Sequence, residues 1–154
     1  MRLSRFLIPV FALSTLLSVS CKAIKTAPFD QYSYQKAIDI KVEMTDLMDD
    51  ATEAYAKHQA EIQELLSEVE KLKEYEKYKP NNEISFQMWK ILSDKERNLL
   101  AGFFQRWKEK GSLSPTFTNE VKGQVVEALN LIIEYEAQKK PETKDKLMGL
   151  IQNY

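Results

Sequence analysis

The chain has 154 residues, with 22 basic and 23 acidic side chains and a net charge of −1 at pH 7. This length suits one domain with a single core, and the near-neutral charge lacks the clustered basic character of nucleic-acid-binding proteins. Glycine and proline are scarce, at 4 and 5 residues, whereas the helix formers Glu, Lys, Leu, Ala and Gln are frequent. The composition therefore favours a helical protein and excludes an evident nucleic-acid partner.

The first 21 residues have the pattern of an export signal. Arg2 and Arg5 precede an apolar stretch at residues 6–17, which is too short to span about 30 Å of hydrocarbon as a helix. Small residues follow at 18–20, and then comes Cys21, the only cysteine in the chain.

This segment resembles the signal of bacterial lipoproteins, in which a cysteine is diacylated on sulfur, released by cleavage and acylated on its new amine. The resemblance implies that residues 1–20 are a signal peptide and that Cys21 carries acyl chains such as palmitate. Residues 21–32 would then be the lipid anchor and tether, and residues 33–154 a single helical domain. The mature chain would hold 20 basic and 23 acidic residues, a net charge of −3, because Arg2 and Arg5 leave with the signal.

Two alternatives to a lipid anchor stay open. The family usually has Leu three residues before its cysteine, where this chain has Ser18, and Ser18 with Ser20 also fits ordinary signal cleavage. An uncleaved membrane anchor is the third reading. A lone free thiol would be unusual in an oxidising compartment, which favours lipidation of Cys21.

The residue after the cysteine bears on location. Inner-membrane retention in the families that this signal resembles is often marked by Asp there, and this chain has Lys22. We therefore expect the outer membrane, with the domain facing the periplasm. The inner membrane and the secreted state are the alternatives.

Residues 33–78 predict one long helix, because apolar residues recur with alternating spacings of four and three. That heptad spacing is typical of a helix that packs nearly parallel to another, within the chain or in a coiled-coil dimer. A bend is expected near residues 45–52, and Pro80 ends the helix. The seam comprises Met44, Met48, Ala51, Tyr55, His58, Ile62, Leu65, Val69 and Leu72.

Shorter helices are predicted beyond this turn. The first covers residues 83–92. Ser93 and Glu96 have the spacing of a capping box that would begin the second, which ends at Gly111.

Two more helices complete the predicted fold. Ser114 and Pro115 open one of them, with proline at its preferred first position, and Pro141 begins the last. The fold class is therefore all-α: a long heptad-patterned helix against three or four shorter helices in an irregular antiparallel bundle.

An acidic row on the long helix is the first candidate site. Its members are four or three residues apart, so they share one helical face opposite the seam, where like charges repel one another. The row is either a solvated face or a docking strip for a basic partner. It consists of Asp39, Glu43, Asp46, Asp50 and Glu53.

An aromatic cluster on the shorter helices is the second candidate. Such a stripe is either hydrophobic core or the lining of a groove for a small apolar or lipid ligand. The cluster consists of Phe86, Trp89, Phe103, Phe104 and Trp107.

Support for metal or catalytic chemistry is weak. His58 is the single histidine, with Glu61 one turn away, whereas bundle metal sites take Glu-x-x-His motifs from two helices. No nucleophile motif or phosphate-binding glycine loop occurs in the sequence. We therefore expect no metal, no cofactor and no enzymatic activity.

Residues 89–97 are similar to the Trp-Lys-x-Leu-Ser-Asp stretch of the HMG-box family of DNA-binding proteins. Binding in that family needs a basic surface in the minor groove. An exported and slightly acidic chain does not supply one, so no nucleic-acid partner is expected.

The sequence thus favours a lipid-anchored helical protein of the bacterial envelope that acts by protein–protein contact, as an accessory subunit or adaptor. The alternative is a module that holds a small apolar or lipid ligand in the aromatic groove, and an enzyme is the third possibility. The partner and the oligomeric state stay open.

Overall fold

The computed structural model describes residues 26–153. Within that range six α-helices and a short 3-10 turn at Asp50–Thr52 form an all-α bundle, which confirms the predicted fold class. Cys21 and the expected signal peptide at residues 1–20 lie outside the described residues. The helices are α1 (Gln31–Asp49), α2 (Tyr55–Lys77), α3 (Glu83–Leu92), α4 (Leu100–Lys110), α5 (Pro115–Gln138) and α6 (Pro141–Asn153).

The predicted long helix is instead two helices, α1 and α2, joined by the 3-10 turn. They run antiparallel, because Ser33 near the start of α1 donates a hydrogen bond to Glu76 near the end of α2. Midway along the pair, the Lys36 ammonium nitrogen lies 3.0 Å from a carboxylate oxygen of Glu68. The expected bend at residues 45–52 is therefore a full reversal of the chain.

The chain reverses because of contacts with a distant loop, which the heptad spacing does not indicate. The segment after α1 forms backbone hydrogen bonds with the loop after α4: the Tyr55 amide donates to the Gly111 carbonyl, and the Leu113 amide donates to the Ala51 carbonyl, both at 2.8 Å. Those bonds satisfy polar groups that a broken helix leaves unpaired. Folding back also lets both halves of the seam reach one core, which stabilises a helix more than local propensity does.

The seam itself is buried, as the heptad spacing predicts. Tyr55 and His58, next to the reversal, are partly covered. The other seven side chains are at most 1% exposed: Met44, Met48, Ala51, Ile62, Leu65, Val69 and Leu72.

Helix α3 has the predicted bounds, but the predicted capping box is wrong. Ser93 ends α3, and its amide donates to the Trp89 carbonyl. The Asp94 carboxylate, and not the Ser93 hydroxyl, accepts the amide hydrogen bond of Glu96, at 3.0 Å. The chain then turns for several residues, and α4 begins only at Leu100.

Gly102 lets that turn pack directly on α4. A β-carbon built at Gly102 would lie 1.6 Å from the backbone carbonyl oxygen of Arg97, far inside contact distance. The loop of residues 94–99 therefore crosses α4 at a point where only glycine fits.

The remaining predicted boundaries are confirmed. The Ser114 hydroxyl accepts the amide hydrogen bond of Phe117, with Pro115 in the first turn of α5, and Gly111 ends α4 with a positive φ of 80°. Helix α6 begins at Pro141. Among the described residues, no helix combines the length and the apolar character that crossing a membrane requires.

Candidate functional site

The acidic row lies on the outer face of the α1–α2 hairpin. Asp39, Glu43 and Asp46 are exposed on α1, Asp50 is exposed in the 3-10 turn, and Glu53 is exposed just beyond it. The chain reversal therefore separates Glu53 from the helix that carries the first three carboxylates.

The hairpin turns part of this row into one wall of a groove. The groove lies between α1 and α2 and has a volume of about 360 Å³. Its lining is Glu43, Asp46, Leu47, Asp50, Glu61 and Glu64. We name it the acidic groove, since five of its six lining residues are carboxylates.

Sequence reasoning did not assign Glu61 and Glu64 to this site. On a continuous helix they would lie more than a turn away from the acidic row, so their approach depends on the reversal. The sequence could have indicated this site only through a break in the helix between the two halves of the seam. Such a break lets the acidic residues before it lie beside those after it.

Few cations neutralise the acidic groove. Within residues 26–153, Glu43, Asp46 and Glu64 form no ion pair, and Asp50 and Glu61 approach only the His58 ring, at 3.9 and 3.7 Å. Glu53 differs, because Lys57 donates to its carboxylate at 2.9 Å and thereby holds the pKa of Glu53 below its usual range. The groove therefore presents excess negative charge to solvent.

His58 stands at one end of the acidic groove, against the Trp107 ring, with 5.4 Å between the ring centroids. Three carboxylates surround it at 3.6 to 3.9 Å, from Asp50, Glu53 and Glu61. Imidazole and carboxylate ligands bind zinc at about 2.0–2.2 Å. Among the described residues, no group of histidine, cysteine or acidic side chains is arranged to hold a metal ion.

A second groove flanks the other side of α1, against α5. Its volume is about 370 Å³, and it is lined by Ile38, Lys41, Val42, Thr45, Asp46, Asn130 and Ile133. Val42 is 55% exposed there. We name it the α1–α5 groove. Asp46 borders both grooves, so α1 forms a ridge with an acidic side and a more apolar side.

The aromatic cluster is mostly core. Trp89, Phe103, Phe104 and Trp107 are each at most 1% exposed, and only Phe86 is partly covered. Side chains with so little exposure cannot line an open groove. The hypothesis of an aromatic ligand groove therefore loses four of its five residues.

Trp107 has a structural role in addition. Its indole nitrogen donates to the Glu53 carbonyl at 3.0 Å, which fixes the backbone just after the 3-10 turn. It also packs edge-on against Tyr55, with ring centroids 5.8 Å apart.

A buried ionic network occupies the opposite end of the bundle, where α1 begins. Glu76 and Glu136 are at most 1% exposed. The Lys79 ammonium nitrogen lies 3.2 Å from Glu76 and 3.8 Å from Glu136, and Lys139 lies 2.6 Å from Glu136. Burial lowers the pKa of Lys139, against the opposing effect of Glu136.

Neutral donors complete this network. Ser33 and Asn82 donate to the Glu76 carboxylate, and Ser85 donates to Glu136. Both buried carboxylates are therefore paired with a cation and hydrogen-bonded, as buried charges require. The arrangement joins α1, α2, α3 and α5 at one end, which we read as structural.

Comparisons of the chain with protein-family models, with curated proteins and with solved structures find no match. A proposal of function therefore depends on the surfaces described above and on the export signal that the sequence predicts.

Proposed function

We propose that this protein is a lipid-anchored helical protein of the bacterial envelope that acts as an accessory subunit or adaptor, by binding a protein partner with a basic surface. The acidic groove is the observation that carries the proposal. It gathers five carboxylates from α1, the 3-10 turn and α2 around one concavity, and a concave, charged surface concentrates and orients oppositely charged partners.

The α1–α5 groove supports the same function. Protein interfaces combine an apolar centre with a polar or charged rim. The α1 ridge offers that combination. Val42 is exposed on it, with carboxylates on one side and the apolar residues Ile38 and Ile133 on the other. A basic partner helix or loop that covers this ridge would pair its charges with Glu43 and Asp46.

The position of the acidic groove along the bundle also suits a lipid-anchored adaptor. Glu43 lies 12 residues beyond Gln31, which corresponds to about 18 Å along α1. A domain held through Cys21 by the start of α1 would carry the groove away from its attachment point. It would be open to partners in the periplasm.

The first step of the test identifies a partner. A photo-cross-linking residue replaces Val42 in the full-length protein in cells, and cross-linked proteins are identified by mass spectrometry. The same residue at Lys110, on α4 and outside both grooves, is the control. Proteins that are captured from position 42 and not from position 110 are then purified for binding measurements.

The second step measures charge dependence. Three substitutions, Glu43→Gln, Asp46→Asn and Glu64→Gln, remove groove charges that have no ion-pair partner within the described chain. The control triple, Glu96→Gln, Glu109→Gln and Glu142→Gln, removes the same charge from exposed positions outside both grooves.

We expect the groove triple to weaken binding roughly tenfold at low salt, since three exposed ion pairs at about 0.5 kcal/mol each total about 1.5 kcal/mol. It should also reduce the dependence of affinity on salt. The control triple should keep the wild-type affinity and the wild-type salt dependence. Equal affinities for the two folded variants would contradict docking in the acidic groove.

A further inference from the structure

The end of the bundle that joins the tether exposes a set of aromatic side chains. Large exposed hydrophobic side chains are few in residues 26–153, and most of them gather at this end. The set consists of Phe29 at 56%, Tyr32 at 43%, Tyr75 at 42% and Tyr78 at 77% exposure. We name it the aromatic end.

Contacts within the protein hold these rings in place. The Tyr32 and Tyr75 ring centroids are 4.8 Å apart, and the Tyr75 hydroxyl donates to Asp30 at 2.8 Å. The Tyr78 amide donates to the Tyr75 carbonyl at 3.3 Å. The rings of Tyr32 and Tyr75 are therefore held by side-chain contacts, and the Phe29 ring lies 6.1 Å from that of Tyr34, while a large part of each of the four side chains faces solvent.

The tether joins the bundle at the same end. Ala27 is 1% exposed, and its amide donates to the Asn81 carbonyl at 2.9 Å, in the turn between α2 and α3. Cys21 precedes Ala27 by six residues, and six fully extended residues span at most about 20–22 Å. An acyl chain on Cys21 would therefore hold the aromatic end close to the bilayer surface.

We infer that the aromatic end is a membrane-contact surface, which lies against the lipid headgroups of the bilayer that holds Cys21. This inference rests on the lipid anchor of the proposed function. Tyrosine suits the position, because its ring is apolar and its hydroxyl is polar, and aromatic residues concentrate at membrane–water interfaces for that reason.

Charge around the aromatic end agrees with a lipid surface as the occupant. The Lys77 ammonium lies over the Tyr78 ring, 5.2 Å from its centroid, but it is paired with Glu74 at 3.3 Å and so adds no net charge there. The tether sequence contributes Lys22 and Lys25 between the anchor and the bundle. Basic residues beside a membrane surface bind anionic headgroups.

Membrane contact at this end fixes the orientation of the domain. Helix α1 has 19 residues and is about 28 Å long, which exceeds the reach of the tether. The far end, where the 3-10 turn meets the loop at residues 111–113, then faces away from the bilayer, and the acidic groove with it. Its carboxylates are thereby kept from the anionic lipids that would repel them.

The test measures the depth of single positions in the full lipidated protein. Purified protein is reconstituted into vesicles of phosphatidylethanolamine and phosphatidylglycerol, and a nitroxide is attached after Tyr78→Cys in one sample and Ser112→Cys in another. The native cysteine is acylated, so each sample carries one reactive thiol. Collision of the nitroxide with oxygen, which concentrates in lipid, is compared with collision with a water-soluble nickel complex.

We expect the oxygen-to-nickel ratio at position 78 to exceed the ratio at position 112 severalfold. Phe29→Ser with Tyr32→Ser, in the Tyr78→Cys protein, should lower the ratio at position 78 towards that at position 112. Val42→Ser removes an equally exposed apolar side chain from the middle of α1 and should leave the oxygen-to-nickel ratio at position 78 unchanged.

Three results would overturn the inference. If the protein floats with the vesicles but positions 78 and 112 are both accessible to water, membrane contact of the aromatic end is refuted and the anchor stands. Magnetic broadening between nitroxides at position 78 would show that a second copy covers the aromatic end instead. Failure of the protein to float with vesicles would refute the anchor and, with it, the membrane contact.

Discussion

Lys79 joins Asp30 across a distance of 3.1 Å between its ammonium nitrogen and a carboxylate oxygen. Asp30 caps the start of α1, and Lys79 lies in the turn after α2. The same ammonium contacts the buried carboxylates of Glu76 and Glu136. One cation therefore neutralises charge from three parts of the chain at the end of the bundle where α1 begins.

Lys79→Met should reduce the free energy of unfolding by about 3 kcal/mol, because it leaves the buried Glu76 carboxylate without a cation, whereas Glu136 keeps Lys139. Lys71→Met is the control: Lys71 also forms an ion pair, with Glu68 at 2.7 Å, but is 65% exposed. Its removal should cost about 0.2–1 kcal/mol. Urea unfolding measures both, and equal losses would refute the role assigned to the buried network.

Acid should destabilise the protein through Asp30. Burial raises the pKa of Asp30, but hydrogen bonds from Tyr75 and Lys79 and the charge of Lys79 outweigh it and lower the pKa to about 2. A depressed carboxyl pKa stabilises the fold above the unfolded value, near 3.8, and that contribution is lost as pH falls towards 2.

Asp30→Asn tests this pH dependence, since Asn caps a helix about as well as Asp. The variant should be less stable than wild type at neutral pH, and the difference should narrow between pH 4 and pH 2 in thermal melts. A difference in stability that stays constant across this range would show that the Asp30 charge does not supply it.

Alanine substitutions at Gly102 in α4 and Gly123 in α5 should change the stability of the protein in opposite directions. Gly102→Ala places a β-carbon 1.6 Å from the Arg97 carbonyl oxygen, so the loop or α4 must shift, at a cost of about 1–3 kcal/mol. Nothing lies within 4 Å of a β-carbon at Gly123, and Gly123→Ala should stabilise α5 by about 0.5–1 kcal/mol. A melting temperature of Gly102→Ala that is unchanged or raised would show that the close approach at Gly102 is not a constraint.

Leu65→Ala should cost about 2–5 kcal/mol, because Leu65 is 1% exposed and its truncation leaves a cavity in the core. Glu64 is its exposed neighbour in the acidic groove, and Glu64→Ala should reduce the free energy of unfolding by less than about 0.5 kcal/mol. Similar losses for both variants in chemical denaturation would mean that the seam is not the buried face.

The sequence predicted what depends on local pattern. The apolar spacing identified Ile62, Leu65, Val69 and Leu72 as core, since helix periodicity alone decides which side chains share a face. The Ser114 cap likewise follows from local backbone geometry.

Contacts between distant segments were beyond this kind of reasoning. The chain reverses after Asp50 because the loop at residues 111–113 bonds to its backbone, which no spacing in the seam reports. The acidic groove depends on that reversal, so the sequence predicted only Glu43, Asp46 and Asp50 among its five carboxylates. Glu76 and Glu136 have the helical positions of ordinary charged residues, and only the assembled bundle shows that both are buried.

The lipid anchor is the central claim, and labelling at Cys21 tests it most directly. Cells that express the wild-type chain or the Cys21→Ser variant are grown with a labelled fatty acid, and the protein is recovered from membrane and soluble fractions. We predict that the wild-type protein is labelled and stays with membranes, whereas the variant is unlabelled and either leaves the membranes or retains its signal segment. A variant of full processed size that still fractionates with membranes, or a wild-type protein without label, would contradict the account.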